Sequence, residues 1–345
     1  MRCLLTIVCV ALAHAPVAAQ RVDTSHADLG DRTVAIPITA ARILASVDGA
    51  TATDRPVHAR KDQIVMLFAA VEAGGHWYTD APGWPHARPL AKGPYATVRW
   101  NKLEPAAADY SNEDATGFHF TQIDYRLTAL DARTTTIAAD VRPTLTPDHG
   151  DGVGTMRYQI SVTQGMRTIA SPGAEARRGR GSGGLTDAVM RVSIRRDDSY
   201  LGFLTEMFGQ PYIWASAGTT DASHQSEHLE GSDCADFVVY GARRMGKRIS
   251  YTWTGGLPSV TKLLAAGTRG EDGIYRDAHG KPVPFTKVGD LVLFPRHVGV
   301  LAEDRGTKGV LDDHDLMMHT LFDSPKEQPI ADSGYADKPV ELRRF

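Results

Sequence analysis

Cysteine is the scarce residue in this chain. Three are present, and Cys3 and Cys9 both fall in the apolar N-terminal stretch, so Cys234 stands alone in the remainder. A single thiol excludes a disulfide framework. A strong charge of one sign is also lacking: the formal net charge is −3, which argues against nucleic acid as the main partner. Beyond the first 19 residues no apolar run is long enough to read as a membrane span. No sustained repeat and no long low-complexity tract is found.

What is there begins with an export signal. Arg2 supplies a short positive region, Cys3 to Ala13 is apolar but too short to span a bilayer, and Val17-Ala18-Ala19 forms a small-residue cleavage site. Residues 1–19 therefore read as a signal peptide, with a mature chain beginning at Gln20 in the periplasm or outside the cell. Val8 before Cys9 disfavours a lipoprotein reading. The remaining ~325 residues exceed what one ordinary core serves, and two domains are expected, 20–196 and 197–345.

The first of these reads as all-β, a sandwich or barrel. Gln63 to Val71 is a near-continuous apolar run, while Phe118 to Leu130, Thr155 to Val162 and Val189 to Ile194 alternate apolar and polar residues. Trp77, Tyr78, Trp84, Tyr95 and Trp100 read as core and turn aromatics rather than a sugar platform. Arg177 to Gly184, rich in Arg and Gly, reads as a solvated loop. The role of this domain is not legible.

In the second domain Ser199 to Phe208 and Cys234 to Met245 carry helical periodicity, and Gly246 ends the latter. Pro258 to Ala266 predicts another helix. Strands are expected at Asp290 to Phe294, His297 to Ala302, Leu316 to Leu321 and Val340 to Arg343, with a hairpin over Ile274 to Phe285. Helices followed by an antiparallel sheet make an α+β domain.

Cys234 opens its helix, where unpaired N–H groups and the dipole favour thiolate. A neighbouring imidazole can take the thiol proton and return it to a leaving amine. His297, at a strand start, suits that role. His319, on the next strand, suits the third position that fixes the imidazole tautomer.

Five motifs in order carry a resemblance. Gly209-Gln210-Pro211-Tyr212-Ile213-Trp214, Asp233-Cys234-Ala235-Asp236-Phe237-Val238, Val288-Gly289-Asp290-Leu291-Val292-Leu293-Phe294, His297-Val298-Gly299-Val300 and Met318-His319 resemble the NlpC/P60 cysteine peptidases over roughly residues 197–320. The resemblance implies a papain-like fold, Cys234 as nucleophile, His297 as base, His319 as the orienting residue and Tyr212 at the oxyanion site. Trp214, Asp233 and Asp236 are assigned to substrate binding. It implies cleavage of peptidoglycan stem peptides, often between D-glutamate and a diamino acid.

The chain departs from the family at Ala235-Asp236, where Ser-Gly is common, and at Ala215-Ser216, where Gly-Gly is common. Asp236 reads equally as a group holding a substrate amine and as a helix cap. Insertions at 217–232 and 303–315 are expected to border the cleft. His224-Gln225-Ser226-Glu227-His228 spells a zinc pattern, but its polar surroundings favour a loop, and Cys-His chemistry needs no metal or cofactor. The same residues would serve an amidase or an acyl or peptidyl transferase, and a non-catalytic wall-binding module is the remaining alternative. The oligomeric state is not legible.

Overall fold

The computed structural model describes residues 36–345, so the signal peptide, its cleavage site, Cys3 and Cys9 lie outside the described residues. Ile36–Phe345 forms one compact unit. A single hydrophobic cluster runs from Ile43 and Trp100 through Phe208 and Phe237 to Val298, and so includes side chains from both halves of the sequence.

The N-terminal half is built on two sheets. Ile38–Val47, Val65–Ala73 and Thr136–Ala138 form one, with His76–Tyr78 turning back onto Val65–Ala73. The other runs Val57–Arg60, Met190–Arg195, Gly154–Gln164, Thr97–Pro105 and Tyr125–Ala129, with Arg167–Ala170 added to Gly154–Gln164. Gly154–Gln164 is central and buried along most of its length, its polar Thr155, Arg157 and Gln159 included. Trp100 is fully buried and Tyr95 almost fully exposed, so the aromatics of this half form no common platform.

Two local expectations fail here for the same reason. Phe118 to Leu130 is not one strand: Gly117–Phe118 pairs with Glu113–Asp114, and only Tyr125–Ala129 joins the larger sheet. Between them the Thr121 N–H donates to Asn112 Oδ1 and the Ile123 N–H to Gly183 O. These long-range partners replace the ladder. The Arg177–Gly184 stretch is likewise tied down, because Arg178 pairs with the fully buried Glu230 at 2.8 Å and Ser182 donates to the same carboxylate.

The expected α+β, papain-like C-terminal domain is contradicted. The structure is 38% strand and 11% helix, with a sheet curled into a half-barrel; with so little helix, the helical layer that such a fold requires is not present among the described residues. After the five-residue helix Tyr200–Leu204, capped by the Ser199 hydroxyl, comes Cys234–Arg244, and Leu257–Val260 has four residues. The rest is a seven-stranded antiparallel sheet in the order Tyr275–Arg276, Lys262–Arg269, Val340–Arg344, Leu291–Phe294, His297–Glu303, Leu316–His319, Lys326–Pro329. The expected helix over Pro258 to Ala266 becomes strand from Lys262 onward because Val340–Arg344 offers it a ladder. Its short apolar run satisfies either period, and tertiary pairing decides. No helix among the described residues is long and apolar enough to cross a membrane.

Glu206 anchors the junction between the halves. It is fully buried and meets His58 at 3.2 Å, Arg244 at 3.1 Å, Arg195 at 3.5 Å and the Tyr240 hydroxyl. Burial alone would raise its pKa, but His58, Arg244 and Tyr240 outweigh that and lower it to about 2. A depressed carboxylate contributes stability above its unfolded pKa and loses it as pH falls through the folded value. Unfolding free energy should therefore fall by roughly 3 kcal/mol between pH 4.5 and 2 through this group. Glu206→Gln should flatten that part of the curve in urea titrations taken across pH.

Candidate active site

The helix Cys234–Arg244 starts where it does because Asp233 caps it. The Asp233 carboxylate accepts from the Ala235 and Asp236 N–H groups, both at 2.9 Å. Cys234 is the first helical residue, and the helix packs its first turn toward the strand His297–Glu303. Burial pushes the thiol pKa up, the Asp233 and Asp236 charges push it further, and the N–H groups of Val298 and Cys234 itself oppose them only partly. The dipole argument for a resting thiolate therefore loses to desolvation and two carboxylates.

His297 begins the strand that pairs with Leu291–Phe294, in the register Phe294 to His297. Its ring is fully buried and stacks on Tyr335 at 4.6 Å. Nε2 lies 2.8 Å from His319 Nδ1, on the neighbouring strand. His297 Nδ1 and His319 Nε2 are both buried without a hydrogen-bond partner among the described residues. Gly299 makes room for the pair: a Cβ there would come within 3.2 Å of His319 Cβ. Burial, then the His319 charge, drive the His297 pKa well below its ordinary value. Burial, then Lys326, lower His319 to about 4 against the pull of Asp323. Both rings are neutral near pH 7. No hydrogen bond joins the thiol to His297 among the described residues; the thiol's neighbour on that strand is the Val298 N–H.

No protein-family profile, curated protein or solved structure matches this chain. The site is therefore read from its own geometry.

Tyr212 is buried beside the thiol. Burial raises its pKa, the Cys234 and Asp233 charges add to that, and no hydrogen bond to the hydroxyl offsets them among the described residues. Its ring meets the exposed Phe322 at 5.2 Å. Trp214 is partly exposed and donates its Nε1–H to Glu113 at 2.9 Å. Both lie on Tyr212–Trp214, which pairs in parallel with Asp109–Ser111 of the N-terminal half. That half thus supplies a wall beside the candidate site.

Asp233 is the cap, and Asp236 is committed elsewhere. Asp236 Oδ2 accepts from the Ser216 hydroxyl at 2.5 Å and lies 3.3 Å from His224 Nε2. His224 Nδ1 accepts from the Ser226 N–H, so the ring proton sits on Nε2 and points at the carboxylate. Burial lowers the His224 pKa to about 4 and raises Asp236 to about 7. His224 also stacks on Tyr251 at 3.7 Å, and the 224–228 segment is a turn rather than a helix. The 217–232 insertion thus serves a buried carboxylate at the back of the thiol helix. Residues 304–315 join the ends of the two strands remote from His297 and His319, so they do not border this site.

Sequence reasoning missed Tyr335, Ser216 and Phe322. Tyr335 follows a 3-10 turn and Gly334, in a stretch with no periodicity to signal it. A resting thiol makes a direct prediction. Alkylation of Cys234 by iodoacetamide should be slow at pH 7 and rise steadily to pH 9 and beyond. A plateau of reactivity between pH 5 and 8 would reveal a preformed thiolate–imidazolium pair instead.

Proposed function

We propose that the chain is an exported cysteine peptidase of the NlpC/P60 type that hydrolyses peptidoglycan stem peptides at the bond between D-glutamate and the diamino acid. One observation carries the reading: a buried His297–His319 pair whose second nitrogen, His297 Nδ1, has no partner among the described residues, on the strand against which the helix that begins at a free Cys234 packs.

In this reading His297 donates its Nε2–H to His319 Nδ1, which leaves Nδ1 as a bare acceptor. As the sulfur of Cys234 attacks the peptide carbonyl, its proton passes to His297 Nδ1. The tetrahedral intermediate collapses by expelling the amine, which takes that proton. Water then adds to the thioester, losing a proton to His297, and the sulfur leaves as the thiol. In this reading the Tyr212 hydroxyl, close enough to the thiol to feel its charge, donates to the oxyanion.

Mass spectrometry of muropeptides after incubation with purified peptidoglycan tests the reading. New fragments are expected from the mature protein and none from Cys234→Ala, with masses that separate peptide cleavage from amide cleavage. His297→Ala should lower kcat/KM on the order of 10³-fold, and His319→Ala by less, because it moves no proton. Unchanged hydrolysis by Cys234→Ala would reject the mechanism. Since the base form of His297 is the active one and its pKa is lowered, activity should persist as pH falls below 6.5. A loss centred at pH 6.5 would count against His297 as the base.

A further inference from the structure

The hairpin that presents His297 is closed by Pro295 and Arg296, and Arg296 holds φ at 67°. A side chain other than glycine is uncommon there and strains the backbone. Glycine would relieve the turn, yet this position carries a guanidinium beside the site. Arg296 is exposed, forms no ion pair among the described residues, and lines a pocket of about 290 Å³ with Trp253, Pro258, Pro295, Pro339 and Glu341. Glu341 is already neutralised by Arg343 at 2.5 Å. Arg296 is therefore the pocket's uncompensated charge.

Trp253 is the pocket's other distinctive wall. It is 73% exposed, high for the largest apolar side chain, and its ring lies over Gly255, where a Cβ would meet it at 2.3 Å. The pocket's wall also includes Phe294, whose ring lies nearly parallel to that of His297 at 6.4 Å. Tyr335, stacked on that imidazole at 4.6 Å and 5.9 Å from Phe294, feels the charges of both Cys234 and Arg296. Phe294 and Arg296, the latter adjacent to His297 in the chain, thus connect the pocket's wall to the candidate site.

We infer that this pocket is a specificity subsite in which Arg296 forks a carboxylate on the substrate residue next to the scissile bond while Trp253 covers that residue's aliphatic part. The planar guanidinium matches a carboxylate with two parallel N–H bonds, and a proline-rich rim keeps the pocket in shape without a substrate. The inference rests on the peptidase reading and adds to it a requirement for free carboxylate.

Calorimetry with the Cys234→Ala protein tests it. The ligands are a stem tripeptide, L-alanyl-γ-D-glutamyl-diamino acid, with free carboxylates and its counterpart with those groups as carboxamides. The carboxylate form should bind about tenfold more tightly, and adding Arg296→Gln should bring the two affinities together. Arg296→Gly should do the same while holding or raising the unfolding temperature, since it relaxes the turn; this separates recognition from a folding defect. Equal affinities for Cys234→Ala, or a preference that survives in both Arg296 variants, would overturn the inference. Cleavage of the carboxamide by the wild type as fast as the carboxylate would overturn it and leave the peptidase reading standing. If neither peptide binds and neither is cleaved, the peptidase reading fails and the subsite falls with it.

Discussion

The carboxylate of Asp233, accepting two N–H groups at the start of the Cys234 helix, is the contact on which the site's geometry depends. It fixes the helix to begin at the thiol, and it places a second acid beside Asp236. Burial and the neighbouring Asp236 charge push its pKa well up against the two N–H bonds that favour ionisation. The Ser216 hydroxyl joins the two acids, accepting from the Asp233 N–H at 3.0 Å and donating to Asp236. His224 completes the chain of contacts from the other side. The departure from the family pattern at Asp236 and the insertion at 217–232 are thus one feature: the insertion supplies the imidazole that a carboxylate in the first helical turn requires.

The N-terminal half has a structural part in the site. Asp109–Ser111 runs parallel to Tyr212–Trp214, Asn112 bonds Ala215 O and Gln225 Oε1, and Arg157 donates to Gln210 and to the Leu229 carbonyl. These bonds tie residues 210–229 to the N-terminal half. Ala215 and Leu229 in this segment adopt positive φ, as do Arg296 and Phe322 elsewhere in the C-terminal half. Such conformations persist only where surrounding contacts over-determine them, and the long-range bonds to the N-terminal half do so for Ala215 and Leu229.

The chemistry of the resting site follows from burial. A thiol at a helix start and an imidazole nearby favour an ion pair in water-like surroundings. Enclosed with two acids on one side and a second histidine on the other, both groups prefer their neutral forms. In the proposed mechanism, proton transfer is therefore deferred to the moment of attack.

The sequence by itself determined the features that need only near neighbours. The helix opening at Cys234, Gly246 as its stop and the strand start at His297 depend on hydrogen bonds or φ preferences within a few residues, and each is legible, although the cap is Asp233, which reads as a substrate-binding residue, and not Asp236. So was the order of the thiol and the two histidines along the chain. The tertiary structure alone decided what depends on residues far apart in the chain. Lys262–Arg269 is a strand because Val340–Arg344 lies beside it, and the C-terminal half is a β-sheet rather than an α+β domain. Asp236 was read as an amine holder or a cap, but a loop ten to twenty residues earlier claims it. The protonation of Cys234 was misjudged from the dipole, because that term acts over one turn while desolvation and charge depend on everything packed around the sulfur.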